Sequence, residues 1–492
     1  MSLPDTIRLE ESLDPENWDE FRALAHRIVD DLLAYLETVR DRPVWQPIPG
    51  AVKAALRRPL PRSGEGAERA YADFVEHVLP HPMGNIHPRF WGWVIGTGTP
   101  FGALAEMLAA GMNPNMGGGE HVPNYVEAQV LDWCKEMTGF PAGASGLLVS
   151  GGSMANLLGL AVARNARAGF DVRGKGLGAA PQPLTIYGSR EMHSSIQKAV
   201  ELLGLGSESL RLIPTDAEFR IDLGALEAAL REDRARGRRP FCLVGNAGTV
   251  MTGATDDLAA LADLARRENL WFHVDGAFGA LATLDPELRP VLRGMERADS
   301  LAFDLHKWMY MPIEVGCILV RDEETHRRAF SLTPEYLKKA DRGLAGGEWW
   351  PSDYGVQLTR SFRALKVWLS LKEHGAEKYG RLIRQNVEQA AYLARRVREC
   401  PELELMAPAP LNIVCFRYTG GNAGRRDLDE LNQRILFELH ERGIAVPTNA
   451  QINGRFALRV AIVNHRSRRE DFDILVDAVR QLGQAGARTG GQ

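Results

Sequence analysis

The sequence predicts an α/β fold built on a mostly parallel sheet, and three observations carry that prediction. From about residue 100 to residue 330, short β-rich apolar runs alternate with stretches of helical periodicity, the pattern of strands joined by crossover helices. A smaller section, about 400 to 480, has strand-like runs at 411–417 and 456–462 around a helical stretch at 427–442, which reads as a small α+β domain. The chain has 492 residues, 45% of them hydrophobic and 25% charged, so it is an ordinary globular sequence long enough for two or three domains.

In chain order, residues 14–40 read as one helix, with Asp14 as N-cap and Pro15 in its first turn. Its apolar stripe (Phe21, Leu24, Ile28, Leu32, Tyr35, Val39) must be covered by something. A proline-rich connector (Pro43, Pro47, Pro49, Pro59, Pro61) leads to a short amphipathic helix around Tyr71–Val78. Residues 1–85 thus form a helical segment too small for its own core, expected to pack on the main domain or on a second subunit. In the large domain, 86–380, helices are expected at 101–111, 122–138, 153–168, 193–204, 223–236 and 256–267, and strands at 146–149, 184–187, 241–245, 271–275, 300–303 and 315–320. Residues 331–355, with Gly343, Gly346, Gly347 and Gly355, have the composition of a mobile loop. One long helix is expected over 361–399, then the small domain, 381–492, ending in a disordered tail from Gln484.

A formal net charge of −4 gives no electrostatic reason to expect nucleic acid or a membrane surface. The Arg231–Arg239 run is interrupted by Glu232 and Asp233 and reads as a solvated helix end. The five cysteines (Cys134, Cys242, Cys317, Cys400, Cys415) are scattered, with no Cys-x-x-Cys pair, which points to free thiols in a reducing cytoplasm. The acidic N-terminus does not read as a secretory signal, and no apolar run is long enough to span a membrane.

The chemistry concentrates after the predicted strands. Lys307, in Asp304-Leu305-His306-Lys307-Trp308, follows the strand-like Ser300–Phe303, and Asp275 ends the strand-like run before Gly276-Ala277. A lysine that forms an imine needs a carbonyl partner. Pyridoxal phosphate supplies that aldehyde and needs an acid to keep its ring nitrogen protonated. Lys307 and Asp275 suit those two tasks. Leu147-Leu148-Val149, the turn Ser150-Gly151-Gly152-Ser153 and the helix after it place backbone amides where a phosphate sits well. His193, opening another helix, suits ring stacking and proton transfer, and Thr249 follows the strand 241–244 at the edge where open α/β sheets bind ligands.

These residues resemble the group II pyridoxal-phosphate-dependent amino acid decarboxylases, of the aromatic-L-amino-acid decarboxylase type, from about His87 to Trp368. His193-Ser194-Ser195, His273-Val274-Asp275-Gly276-Ala277 and His306-Lys307-Trp308 carry the resemblance. It implies the aspartate-aminotransferase-like fold (fold type I), an obligate homodimer, and pyridoxal 5'-phosphate bound as an imine on Lys307. Asp275 would hold the ring nitrogen, His193 and Ala277 would pack on the ring's two faces, Gly152, Ser153 and His306 would lie near the phosphate, and Thr249 near the ring. Tyr336, in the glycine-rich loop, would return a proton to the substrate carbon. The N-terminal helix would cover the partner subunit.

Two segments depart from the animal aromatic enzymes. Trp93-Val94-Ile95 replaces an aromatic pair followed by proline, and Phe303-Asp304-Leu305-His306 stands where asparagine and proline are usual. The expected reaction is decarboxylation of an L-amino acid to an amine. Phe90, Trp91 and Trp93 favour an aromatic or bulky side chain, while Arg89 suits an acidic one. The alternatives are a decarboxylation-dependent oxidative deaminase giving an aldehyde, another fold type I lyase or aminotransferase, and a non-catalytic scaffold subunit. Tyr336 and His193 argue against the first, and the Lys307–Asp275 pair against the last.

Overall fold

The computed structural model describes residues 12–332, 340–422 and 428–489. They divide into two compact units, one of residues up to 42 with 47–82, the other of 43–46 with 83 onward. Residues 43–46 go with the second unit because Val44 is buried there against Phe90 and Val446.

The first unit is helical. The helix Trp18–Glu37 begins not at Asp14 but at Asn17, whose side-chain oxygen accepts from the amides of Asp19 (3.0 Å) and Glu20 (3.3 Å). A capped helix start needs such an acceptor for its orphan amides. Gly50–Ala55 adds a short helix within the proline-rich connector, and Ala67–His77 forms the third. Tyr71 donates to Asp31 at 2.6 Å, tying the third helix to the first. Trp18, Phe21, Ile28, Leu32 and Leu33 remain exposed along the first helix.

The second unit is built on a seven-stranded sheet: β1 (Ser145–Val149), β2 (Leu184–Ser189), β3 (Leu210–Ile213), β4 (Arg239–Asn246), β5 (Trp271–Asp275), β6 (Ser300–Asp304) and β7 (Gly316–Val320). Their order is β1-β7-β6-β5-β4-β2-β3. All neighbours are parallel except β7, which is antiparallel to β1 and β6. The connection from β6 to β7 holds only a four-residue helix, too short for the crossover a parallel pair requires. The strands from β1 to β5 are linked by the helices Gly152–Arg167, Ser194–Leu202, Leu223–Ala235 and Leu258–Arg267, and β5 to β6 by 3-10 turns; β1, β2, β5, β6 and β7 are buried along their whole length, as a covered parallel sheet demands. Asp222 and Asp257 cap two of the helices through the amides of Ala225 and Ala260, both at 3.0 Å. The strand β3, absent from the sequence reading, is a four-residue edge with only its end residues buried.

A second sheet, β8 (Leu403–Leu405), β9 (Ile413–Tyr418), β10 (Thr448–Ile452) and β11 (Arg455–Ala461), is antiparallel in the order β10-β11-β9-β8. The expected helix over 361–399 is two helices, Ala364–His374 and Ala376–Glu399, broken at Gly375 with φ 70°. Where a disordered tail was expected, the helix Arg469–Thr489 continues. Within the expected mobile loop, Pro351–Tyr354 is a 3-10 turn with Pro351, Asp353 and Tyr354 buried. Tyr336 lies outside the described residues. No helix among the described residues is long and apolar enough to cross a membrane.

Candidate active site

The carboxyl ends of β1, β2, β4, β5 and β6 reach one edge of the large sheet, and a cavity of about 290 Å³ opens there. It is lined by the turn Ser150–Ser153, by Asn156 and Met154 on the helix that follows, by His193 and Ser195, by Asp275 and Ala277, and by Asp304, His306, Lys307 and Glu314. Seven of the residues singled out in the sequence (Gly152, Ser153, His193, Asp275, Ala277, His306 and Lys307) therefore meet in one place. This is the crevice beyond strand ends in which open α/β sheets bind ligands.

Asp275 is positioned by a hydrogen-bond chain running through the core. Trp271 Nε1 donates to Ser300 Oγ (2.8 Å), and Ser300 Oγ lies 2.8 Å from His273 Nδ1. His273 Nε2 meets Asn156 Oδ1 at 2.9 Å, and Asn156 Nδ2 donates to Asp275 Oδ2 at 2.9 Å. Because the Asn156 carbonyl can only accept, His273 carries its proton on Nε2 and receives the Ser300 hydroxyl at Nδ1. Burial holds the His273 pKa down at about 3, so the link is neutral. The other Asp275 oxygen accepts from the Ala277 amide at 3.1 Å.

Asn156 also serves the histidine. Its second amide hydrogen goes to Ser195 Oγ (3.0 Å), and Ser195 Oγ lies 2.9 Å from His193 Nδ1. The Ser195 backbone N–H also donates to that nitrogen (3.2 Å), so the neutral ring bears its proton on Nε2. Burial lowers the His193 pKa below the ordinary histidine value, against the opposing pull of Asp275. A neutral imidazole at the cavity is the form that moves a proton.

Lys307 Nζ lies 2.9 Å from Asp304 Oδ2 in the turn after β6. His306 is anchored by Nδ1 on the Val315 backbone (2.9 Å to the carbonyl) and is pushed toward neutrality by burial. The segment Trp93–Gly96 lies over this turn, since a Cβ on Gly96 would fall 1.9 Å from the His306 carbonyl. The Ser150–Ser153 turn meets the cavity at the start of a sixteen-residue helix whose first amides have no intrahelical acceptor, which suits an anion. A Cβ on Gly152 would stand 2.9 Å from Asp304 Oδ2, so the cradle exists because that residue is glycine. An amine, a carboxylate at the far wall and an anion cradle together fit pyridoxal phosphate.

Other candidates fall elsewhere. Thr249 is buried in the turn after β4, its hydroxyl 3.2 Å from that of Thr252, and does not line the cavity. Phe90 and Trp91 are core residues: Phe90 packs on Val44 and Val446, while Trp91 stacks on Phe472 with centroids 4.8 Å apart and donates to Ser467. Trp93 is half exposed, and its carbonyl accepts from Arg459 at 2.9 Å. Arg89 donates to the Ile444 carbonyl (2.7 Å) and faces Asp471. The sequence reading missed Asn156, Asp304 and Glu314 as cavity residues. Asn156 bonds groups more than a hundred positions away, a pairing without local signature. Glu314, held by Arg363 at 2.9 Å, follows the lysine turn closely enough to have been considered.

Set beside known proteins, residues 49–419 match the family model described as the pyridoxal-dependent decarboxylase conserved domain. The aromatic-L-amino-acid decarboxylase of Bacillus atrophaeus is 32% identical over 95% of this chain and 96% of its own. A phenylacetaldehyde synthase of Arabidopsis thaliana is 29% identical over 92% of this chain and 93% of its own. The crystal structure of Catharanthus roseus tryptophan decarboxylase in complex with L-tryptophan superposes with a TM-score of 0.85, at 26% identity, over 96% of this chain and all of its own. The chain belongs to the pyridoxal-dependent decarboxylase family. It has the fold type I architecture and is a pyridoxal-phosphate-dependent carboxy-lyase of amino acids.

Proposed function

We propose that the protein decarboxylates an aromatic L-amino acid to the amine, using the cavity at the sheet edge. The observation that carries this reading is that Lys307 and Asp275 reach one cavity from adjacent strand ends, with the Gly151–Ser153 cradle on its wall. The aromatic preference is supported by the relatives of matching length, among them the decarboxylase of Bacillus atrophaeus. Bound pyridoxal phosphate supplies the sink for the electron pair released when the carboxylate leaves. Lys307 would anchor the cofactor's aldehyde carbon, and Asp275, aimed by Asn156 and the Ala277 amide, would hold the proton on its ring nitrogen. His193 and Ala277 would pack on the ring, and Gly152, Ser153 and His306 would hold the phosphate.

Tyr336 and His193 would handle the proton that returns to the substrate carbon. Their joint presence in the sequence favours amine over aldehyde as product. We also infer a homodimer. Exposed Met107, Leu108, Met112, Val122 and Tyr125 on the second unit and the uncovered stripe of the first helix are apolar surface of the kind subunits bury. Residues 86–380 would be the cofactor domain and 381–492 the small domain, the two joined where Trp308 and Tyr310 donate to Asn386 at 3.1 and 2.7 Å. Five free cysteines, four of them buried, suit a cytoplasmic protein.

The test is a panel of L-amino acids with added pyridoxal phosphate, recording carbon dioxide, amine, aldehyde and hydrogen peroxide together. Amine equal to carbon dioxide from tryptophan, tyrosine or phenylalanine is the expected result. Aldehyde with peroxide would move the protein to the oxidative class, and turnover of acidic substrates alone would overturn the aromatic assignment.

A further inference from the structure

The turn that carries Lys307 is tied to the core by one side chain. Asn386, on the helix Ala376–Glu399, is wholly buried. Its Oδ1 accepts from Trp308 Nε1 (3.1 Å) and from the Tyr310 hydroxyl (2.7 Å). Its Nδ2 donates to Gln389 Oε1 (3.0 Å) and to the Asn464 carbonyl (3.2 Å). A carboxamide has two lone pairs and two hydrogens, so all four are used. Trp308 and Tyr310 are the first and third residues after Lys307. Tyr310 has φ 54°, a left-handed conformation that a bulky residue keeps only when its surroundings impose it. From that conformation its backbone N–H donates to the Lys307 carbonyl (3.3 Å). Burial pushes the Tyr310 pKa well up, so the hydroxyl stays a donor. Its ring meets His465 edge-on, with centroids 5.2 Å apart.

A second hold on the turn runs through the same network. Asn464, whose carbonyl takes the Asn386 amide, donates to the His87 carbonyl (2.8 Å). The chain that begins there reaches Gly96, where a Cβ would fall 2.7 Å from the Lys307 carbonyl. A buried polar cluster serves the fold alone when its bonds end on framework residues; here two of the four end beside the lysine of the cavity. We infer that Asn386 is a positioning residue for Lys307: through Trp308 and Tyr310 it fixes the turn from which the lysine amine reaches the cavity. This rests on the reading of Lys307 as the cofactor lysine. The amine ends a flexible side chain, so its effective concentration at a bound aldehyde depends on where the backbone holds it. The other groups proposed to hold the cofactor do not depend on Asn386. Asp275 is aimed by Asn156 and the Ala277 amide, the Ser150–Ser153 turn belongs to a separate helix start, and His306 has its own anchor on Val315. Loss of Asn386 should therefore displace the lysine and spare the rest.

The test uses full-length protein stripped of cofactor, as wild type, Asn386→Leu and Tyr310→Phe. Two quantities are measured. One is the rate at which Lys307 becomes fixable by borohydride to added pyridoxal phosphate, with the site located by peptide mapping. The other is the affinity for deoxypyridoxine phosphate, which keeps the ring and phosphate but has no aldehyde. Asn386→Leu should slow fixation about ten- to a hundredfold, the cost of a small misplacement of a reacting group. Affinity for the analogue should stay within about twofold, as for independent sites. Both falling together would mean a distorted cavity, and neither falling a core residue only; each overturns the proposal. Wild type fixed at Lys307 without selective slowing in the variant defeats only the role of Asn386. Wild type not fixed at Lys307 defeats the cofactor reading and this proposal together. Should Asn386→Leu fail to fold, Tyr310→Phe decides. It removes one hydroxyl and should slow fixation selectively by about threefold or more, the worth of one hydrogen bond, and a wild-type rate would overturn the assignment.

Discussion

Two ion pairs of the second unit, Glu127–Arg360 and Asp304–Lys307, both have a buried carboxylate, and they are buried for different reasons. Glu127 and Arg360 are wholly inaccessible, and the guanidinium also donates to the carbonyls of Met116 (2.8 Å) and Leu148 (2.6 Å), pinning the helix Val122–Thr138 and the segment before Ala364 to β1. Lys307 and Asp304 meet at 2.9 Å, but the lysine is partly exposed to a cavity. The first pair is sealed from solvent on every side and is architecture. The second borders a cavity that something else must fill, and that opening is what marks a site of chemistry.

Replacing one member of each pair should separate the two roles. Lys307→Ala removes the anchoring amine and should lower amine production at least about a thousandfold, leaving thermal unfolding of the cofactor-free protein nearly unchanged. Activity within about tenfold of wild type would remove Lys307 from the mechanism. Arg360→Met strands Glu127 in the core and should cost about 3–5 kcal/mol in urea unfolding, while turnover per folded molecule persists. The double change Glu127→Leu with Arg360→Met should recover much of that loss. If it does not, the pair is doing more than bridging segments.

The difference between the pairs was half legible in the sequence. Lys307, Asp275 and His193 stand beside strand ends or helix starts within short motifs, so their placement follows from local pattern plus the parallel topology. Glu127, one charge in a helical pattern, and Arg360, in an irregular segment, carry no such signal, because a charge reads as solvent-facing until the tertiary partner is known. The same limit hid Asn156, one more polar residue on an amphipathic helix. Phe90 and Trp91 show the opposite failure. Their aromatic bulk suggested a substrate pocket, yet it fills space beside Val446 and Phe472, and a sequence cannot tell a pocket wall from a core when both are apolar.

Asn156 sharpens the comparison at intermediate size, since it belongs to neither pair but orients the cavity's second carboxylate. Asn156→Ala removes a hydrogen bond to a charged group, worth about 1.5–3 kcal/mol, so turnover or cofactor affinity should fall about ten- to a hundredfold. Loss of fold stability without loss of activity would make it a core residue only.

The smallest effect concerns the neutral histidine behind Asn156. His273 is completely buried, and space for its ring exists because residue 159 is glycine: a Cβ there would lie 2.7 Å from His273 Cε1. Its pKa in the fold, about 3, is far below the 6.5 of a free histidine. The unfolded chain therefore binds a proton below about pH 6.5 that the folded chain refuses, and stability falls as pH drops through that window while staying flat above it. Between pH 7 and pH 5 the loss from this one group should reach about 2 kcal/mol at most. His326 (about 3) and His465 (about 4) act in the same direction and set the background slope. His273→Gln keeps a donor for Asn156 and an acceptor for Ser300 without the titratable ring, so urea unfolding of this variant should lose less stability on acidification than wild type. An unchanged slope would mean that His273 is protonated in the fold after all. The chain from Trp271 to Asp275 would then carry a charge at its centre.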